Sequence, residues 1–245
     1  MPVFRHRPLH FATRHPIVRA QTHAQAQSEG AVPLPAGEVH LWRIDLSAHL
    51  RRAPELERCL TPGELARAGR LRNPDDRARF VAARGLLRQL LGSYLSCPPS
   101  EVPLEYGEQG KPVLPAPEPL HFNLSHAGTT ALLAVARQAR VGVDVERVRP
   151  LAHVDRVARR VLTPEELAVW TALPPDRRLE DFFERWVRLE ALAKMIGCGV
   201  WRLLADRPQG VPPARYLVLS PGERLVGAVA MEGERPLRLV ERVLD

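Results

Sequence analysis

Leu162-Thr163-Pro164-Glu165-Glu166-Leu167-Ala168 repeats, with a single difference, Leu60-Thr61-Pro62-Gly63-Glu64-Leu65-Ala66. Each copy reads as the start of a helix. Threonine is the N-cap, proline takes the first helical position where a missing N–H costs nothing, and the glutamate closes a capping box. The signals on either side repeat as well. A strand precedes each copy, at 38–46 (EVHLWRIDL) and 139–148 (ARVGVDVERV), where apolar residues alternate with polar ones. A long amphipathic helix follows each, RFVAARGLLRQLLG and FFERWVRLEALAKMIG, and both are expected to end on glycine, Gly92 and Gly197. The offset drifts only from 99 (Asp45 to Asp144) through 102 (Thr61 to Thr163) to 105 (Gly92 to Gly197). This predicts an α+β chain of two similar halves, 37–136 and 137–245, forming an internal pseudo-dimer with any shared ligand in the cleft between them.

The second long helix carries the first chemical signal. Phe182, Trp186, Leu189, Ala193 and Ile196 make an apolar stripe at helical spacing, with Glu190 and Lys194 as neighbours one turn apart beside it. Gly197 and Gly199 then stop the helix. Alone, this is an amphipathic helix whose Glu–Lys pair is worth about 0.2–0.5 kcal/mol. The helix opening at Asn73-Pro74-Asp75-Asp76 is its counterpart, with Phe80, Leu87, Leu90, Leu91 and Leu95 apolar and Arg79, Arg84 and Arg88 beside them.

Val141-Gly142-Val143-Asp144-Val145-Glu146 adds two acids to the argument. With a period of two, the valines face one way and Asp144 and Glu146 the other, about 6.5–7 Å apart at their Cα atoms. Two such carboxylates repel, and a hard divalent cation such as Mg²⁺ is the usual resolution. Glu190 could supply a third. Phe122-Asn123-Leu124-Ser125-His126 reads as a strand, 120–124, ending in a Ser-His turn at 125–128 before its partner strand at 131–136. There a hydroxyl and an imidazole can meet a phosphate. A Ser-His hydrolase is excluded, because no GxSxG elbow is present and adjacent residues do not pair as nucleophile and base. Gly110-Lys111-Pro112 is a turn, and strands at 216–219 and 225–231 flank a turn at Ser220-Pro221-Gly222.

Composition narrows the partners. In 245 residues, 35 Lys and Arg stand against 28 acids, a net charge of +7, which favours an anionic partner. Nucleic acid is the second explanation of that charge. Against it stand an aromatic content of 5% and the lack of any recognition helix, zinc-finger spacing or RNP-like strand. Cys59, Cys97 and Cys198 form no CxxC pair and suit a reducing, cytoplasmic setting. No run of 18 apolar residues points to a membrane. Residues 1–36 hold Arg5, Arg7, Arg14 and Arg19, five prolines and no acid before Glu29, so they read as a disordered N-terminal extension, a transit-type leader or an upstream start.

Taken together, Gly110-Lys111-Pro112, FNLSH at 122–126, GVDVE at 142–146 and WVRLEALAK at 186–194 resemble the 4′-phosphopantetheinyl transferases of the long, two-half type, over about residues 38–231. The resemblance implies Mg²⁺-dependent transfer of the phosphopantetheine arm of coenzyme A to a serine of an apo acyl or peptidyl carrier protein, releasing adenosine 3′,5′-bisphosphate. Asp144, Glu146 and Glu190 would be the metal ligands, and Glu190 also the base for the carrier serine. Lys194 would neutralise the pyrophosphate, and Ser125 and His126 would hold coenzyme A phosphates. Lys111 would lie on the adenine side, Arg79 on the 3′-phosphate, with Arg67 as a helper. His126 is expected to share the catalytic charge stabilisation. A monomer acting on acidic carriers of polyketide, peptide or fatty-acid synthesis is expected, with no nucleic-acid or membrane partner. One position departs from the pattern: Leu189 stands where many members have lysine, and Arg188 is the nearest substitute. A non-catalytic coenzyme A-binding relative is the competing reading. Retention of three carboxylates and Lys194 speaks against it.

Overall fold

The computed structural model describes residues 17–23, 32–107, 110–206, 211–234 and 238–244. The first half begins with strands β1 (Ile17–His23) and β2 (Glu38–Asp45) and the short helices α1 (Leu46–His49) and α2 (Ala53–Glu57). Helices α3 (Pro62–Gly69) and α4 (Pro74–Leu95) follow, then the two-residue strands β3 (Glu105–Tyr106) and β4 (Pro112–Val113) and the hairpin β5 (Leu120–Ala127) and β6 (Thr130–Arg137). The second half contains β7 (Val141–Arg147), α5 (Val154–Val161), α6 (Pro164–Thr171), α7 (Pro175–Ile196) and α8 (Val200–Asp206), and then β8 (Ala214–Gly222) and β9 (Leu225–Glu232). The last strand is β10 (Arg238–Leu244). The chain is α+β, as its repeated signals predict.

Both capping boxes form. Thr61 accepts from the Glu64 N–H and Thr163 from the Glu166 N–H, while each glutamate accepts from its threonine's backbone N–H at 2.9 Å. Asn73 caps α4 through the Asp75 N–H. Gly197, at φ 87°, ends α7 in the left-handed conformation that glycine adopts without strain. Gly92 does not end α4; the helix runs to Leu95, and Ser96 takes the left-handed cap at φ 54°.

Among the described residues the strands form a five-stranded sheet, ordered β1-β10-β2-β6-β5, a three-stranded sheet, β7-β9-β8, and a small two-stranded sheet of β3 and β4. The layers run helix, sheet, sheet, helix. One face of the larger sheet, with Trp42, Ile44, Leu133 and Val135, packs under α4. Its other face, with Val39, Leu41, Leu132, Ala134 and Ala136, shares a core with Val141, Val143, Val145, Val229 and Met231 of the smaller sheet. The far side of the smaller sheet, with Val226, Ala228 and Ala230, packs under α7. On α7 the fully buried positions are Phe182, Phe183, Val187, Ala191, Leu192, Ala193 and Met195; Trp186, Leu189 and Ile196 lie at the edge of that face.

Four further expectations need correction. β10 leaves the second half and inserts between β1 and β2, parallel to both, so 238–244 belongs to the first half's sheet. Within the supposed extension 1–36, Ile17–His23 is a strand; residues 1–16 and 24–31 lie outside the described residues. The β8–β9 turn falls at Glu223-Arg224, with Arg224 at φ 54°, rather than at 220–222. Finally, β5 continues through Ser125 and His126 to Ala127, and the turn is made by Gly128-Thr129.

Candidate active site

Ser125, His126, Asp144, Glu146, Glu190 and Lys194 are brought together where the C-terminal half of α7 rests on β7, with β5 running beside β7 and each of these strands the edge of its sheet. The approach is set by Gly142. A Cβ there would lie 2.1 Å from the Ala191 carbonyl oxygen and 2.5 Å from the Met195 nitrogen, so only glycine lets α7 rest on β7. The alternation along β7 then does the rest. Val141, Val143 and Val145 fill the core between the sheets, while Gly142, Asp144 and Glu146 take the α7 side.

Asp144 is 4% exposed. Its Oδ1 accepts from Lys194 Nζ at 2.6 Å and from Ser125 Oγ at 2.9 Å, and Lys194 also donates to Ser125 Oγ at 3.0 Å. Its Oδ2 is buried without a hydrogen-bond partner. Glu190 and Glu146 are both held above the ordinary glutamate pKa: burial comes first, the neighbouring Asp144 charge second, with Lys194 opposing in each case. Lys194 is the cation the three carboxylates have in common, Arg149 also acts on Glu146, and the acids still repel one another.

Cations crowd the other side. Lys111 donates to the backbone carbonyl of Lys194, tying the loop before β4 to the last turn of α7. Burial, with Lys194 and then Arg140 nearby, lowers its pKa to about 8. Partial burial followed by the charges of Lys194 and Arg79 lowers that of His126, which keeps the imidazole neutral at pH 7. Arg79, on α4 and paired with Asp76 at 2.6 Å, is near enough for its charge to act on His126. Arg67 lies over the Phe80 ring, 5.7 Å from its centroid, a ring it shares with Arg84.

Two assignments change character. Ser125, expected at an open turn, is 7% exposed on a strand, and its hydroxyl is engaged by Asp144 and Lys194 rather than presented to a ligand. Leu189 packs at the edge of the second half's core, and Arg188 meets Glu184 at 3.9 Å. Sequence reading missed Asn123, whose Oδ1 accepts from the Val143 N–H at 2.8 Å, and the packing role of Gly142. The signal for Asn123 was its place two residues before Ser125, on the same strand face.

Among the described residues no group of three His, Cys, Asp or Glu side chains is gathered as a finished metal cage, and Lys194 is the counter-charge on Asp144. The donor set nevertheless suits a hard cation. Oxygen donors, an orphaned buried Oδ2 and two carboxylates pushed toward protonation are what such an ion would relieve.

The chain matches two family models, described as 4′-phosphopantetheinyl transferase superfamily over residues 140–215 and as 4′-phosphopantetheinyl transferase, N-terminal, over residues 51–138. It is 38% identical over 209 residues to the 4′-phosphopantetheinyl transferase HetI of Nostoc sp. (strain PCC 7120), covering 80% of this chain and 88% of that one. It is 38% identical over 130 residues to the 4′-phosphopantetheinyl transferase AcpT of Escherichia coli (strain K12), 53% and 63% of the two chains. A 4′-phosphopantetheinyl transferase of Bacillus subtilis is 29% identical over 168 residues, 69% and 67% of the two chains. The acidic, Lys194-bridged cluster lies in the segment that the superfamily model covers, and the first half from residue 51 onward in the segment covered by the N-terminal model. With the HetI likeness spanning both, the chain belongs to the 4′-phosphopantetheinyl transferase superfamily and is a transferase of its long, two-half type.

Proposed function

We propose that this transferase moves the 4′-phosphopantetheine arm of coenzyme A onto a serine of an apo carrier protein, with Mg²⁺ as cofactor and adenosine 3′,5′-bisphosphate as the released product. The observation that carries the reading is the Asp144–Ser125–Lys194 contact, with Glu146 and Glu190 crowded against it and Asp144 Oδ2 left without a partner. Asp144, Glu146 and Glu190 are the residues that would hold the cation. When bound, it supplies positive charge for the pyrophosphate oxygens.

The chain's own groups account for the remaining steps. Lys194 has three N–H donors, of which Asp144 and Ser125 use two, leaving one for a phosphate oxygen. His126, neutral, donates a second hydrogen bond, and Lys111 and Arg79 hold phosphates toward the adenosine end. Glu190 takes the proton of the carrier serine, favoured for that work by its raised pKa. The serine oxygen forms a bond to the pantetheine-side phosphorus. The bridging phosphorus–oxygen bond breaks, and the bisphosphate departs with its electron pair. Such a displacement needs positioning and charge stabilisation more than covalent help.

An acidic carrier suits the exposed basic face of α5. Arg156, Arg159 and Arg160 lie there, with Arg160 4.5 Å from the ring of Trp201, itself 50% exposed. The test is intact-mass analysis of apo carriers incubated with the protein, coenzyme A and Mg²⁺, with Glu190→Ala alongside. Gain of one phosphopantetheine with the wild type only is the expected result. Absence of any gain across peptide, polyketide and fatty-acid carriers, with coenzyme A still bound, would favour a non-catalytic coenzyme A-binding role instead.

A further inference from the structure

β5 and β7 run side by side at the junction of the halves, but no backbone ladder joins them, since each is the edge of a different sheet. An edge strand presents N–H groups that need partners, and a buried one left unmade costs about 1–3 kcal/mol. Here side chains of β5 close the gap. Asn123, 5% exposed, accepts the Val143 N–H through Oδ1 at 2.8 Å. Two residues on, and on the same face of β5, Ser125 donates to Asp144 Oδ1 at 2.9 Å. With Lys194 donating to that same oxygen at 2.6 Å, Oδ1 is fully occupied and Oδ2 is the oxygen left over.

We propose that Asn123 is a positioning residue for the reaction: by fixing the β7 backbone one residue before Asp144, it lets Ser125 and Lys194 clamp Oδ1 and so presents Oδ2 as the cation-binding oxygen. This rests on the transferase reading above. Asn123 touches neither substrate nor cation in this account. Its effect passes through the Val143 N–H, and the oxygen of its amide, not the nitrogen, is the part that matters.

The experiment uses the full chain as wild type, Asn123→Ala, Asn123→Asp and Ser125→Ala. Two readouts are taken: the Mg²⁺-dependent shift in melting temperature without coenzyme A or carrier, and the Mg²⁺ half-saturation, kcat and coenzyme A KM of carrier modification. For Asn123→Ala we expect the Mg²⁺ requirement to rise and kcat to fall by about 10–100-fold, the range for partners that orient a metal ligand, with coenzyme A KM little changed. Asn123→Asp keeps an acceptor oxygen and restores most of the loss. Ser125→Ala, which leaves the Val143 contact intact, gives an intermediate loss and keeps the test decisive should Asn123→Ala fail to fold. A rise in coenzyme A KM with unchanged Mg²⁺ dependence would overturn the proposal in favour of direct substrate contact. So would an Asn123→Asp variant no better than Asn123→Ala, or a Ser125→Ala variant with wild-type Mg²⁺ dependence. A wild type that modifies no carrier yet shows a Mg²⁺-dependent melting shift lost in Asn123→Ala would overturn the transferase reading and not the role of Asn123.

Discussion

α4 and α7 are each 22 residues long, each starts on proline, and each follows an eight-residue helix with a closed Thr–Glu capping box. Their buried charges are settled in opposite ways. In the first half the capping Glu64, 2% exposed, receives Arg88 Nε at 2.7 Å and the Tyr106 hydroxyl at 3.1 Å. Arg88 also donates to the carbonyls of Pro99 and Val102, at 3.1 and 3.0 Å. In the second half the capping Glu166 is only half-buried and meets Arg185 at 3.8 Å, while the charges of α7 turn to the strand side: Glu190 and Lys194 against Asp144 and Glu146. The buried carboxylate of the first half, Glu64, is engaged on both oxygens, by Arg88, Tyr106 and the Thr61 N–H, and acts as scaffold. That of the second half, Asp144, keeps Oδ2 without a partner beside two further acids.

The largest effect that would test this contrast is in the scaffold. Arg88→Ala strands a buried Glu64 and should cost about 3–5 kcal/mol of folding stability, read by denaturant unfolding. A loss under about 1 kcal/mol would mean that the first half's network is no more committed than a surface pair. Next is Gly142→Ala, where the new Cβ meets backbone atoms of α7 that cannot swing aside. Overpacking predicts a loss of about 1–3 kcal/mol or more, with transfer activity falling alongside, because the helix that carries Glu190 and Lys194 must lift.

A smaller effect concerns charge on the coenzyme side. Lys111 has a pKa lowered to about 8, so its cation, present below that value, is lost as the pH rises through it. Coenzyme A KM should therefore climb up to about tenfold between pH 7 and 9, and Lys111→Arg should flatten that profile. A KM that is flat with pH in the wild type would remove Lys111 from the phosphate contacts. The smallest effect compares the caps. Thr163→Ala should cost about 1 kcal/mol, and Thr61→Ala more, because the partner it deserts is the fully buried Glu64. Equal costs would blur the distinction between the halves.

What was legible in the sequence was whatever is decided locally. The capping boxes depend on residues three apart, and Asp144 and Glu146 share a side because a strand alternates. Glu190 and Lys194 lie together because a helix turns. What escaped depends on a second element. The return of β10 to the first sheet is a pairing between residues at opposite ends of the chain, for which local pattern carries no signal. The apolar run stops at Leu124, which by itself reads as a turn at Ser125, yet the ladder with β6 continues to Ala127. Gly142 and Asn123 look ordinary until α7 and β5 come within reach of β7.

The most direct test is to measure melting temperature and carrier modification together for Glu190→Gln. Wild-type Glu190 has a folded-state pKa above its ordinary value, so its ionised form opposes folding, and that penalty grows as pH rises through the raised value. The neutral glutamine should leave the melting temperature at pH 7 unchanged or raised, while transfer falls by roughly 10²–10⁴-fold. A melting temperature lowered by several degrees would place Glu190 among the scaffold charges with Arg88, and transfer at the wild-type rate would show that its carboxylate is not the base.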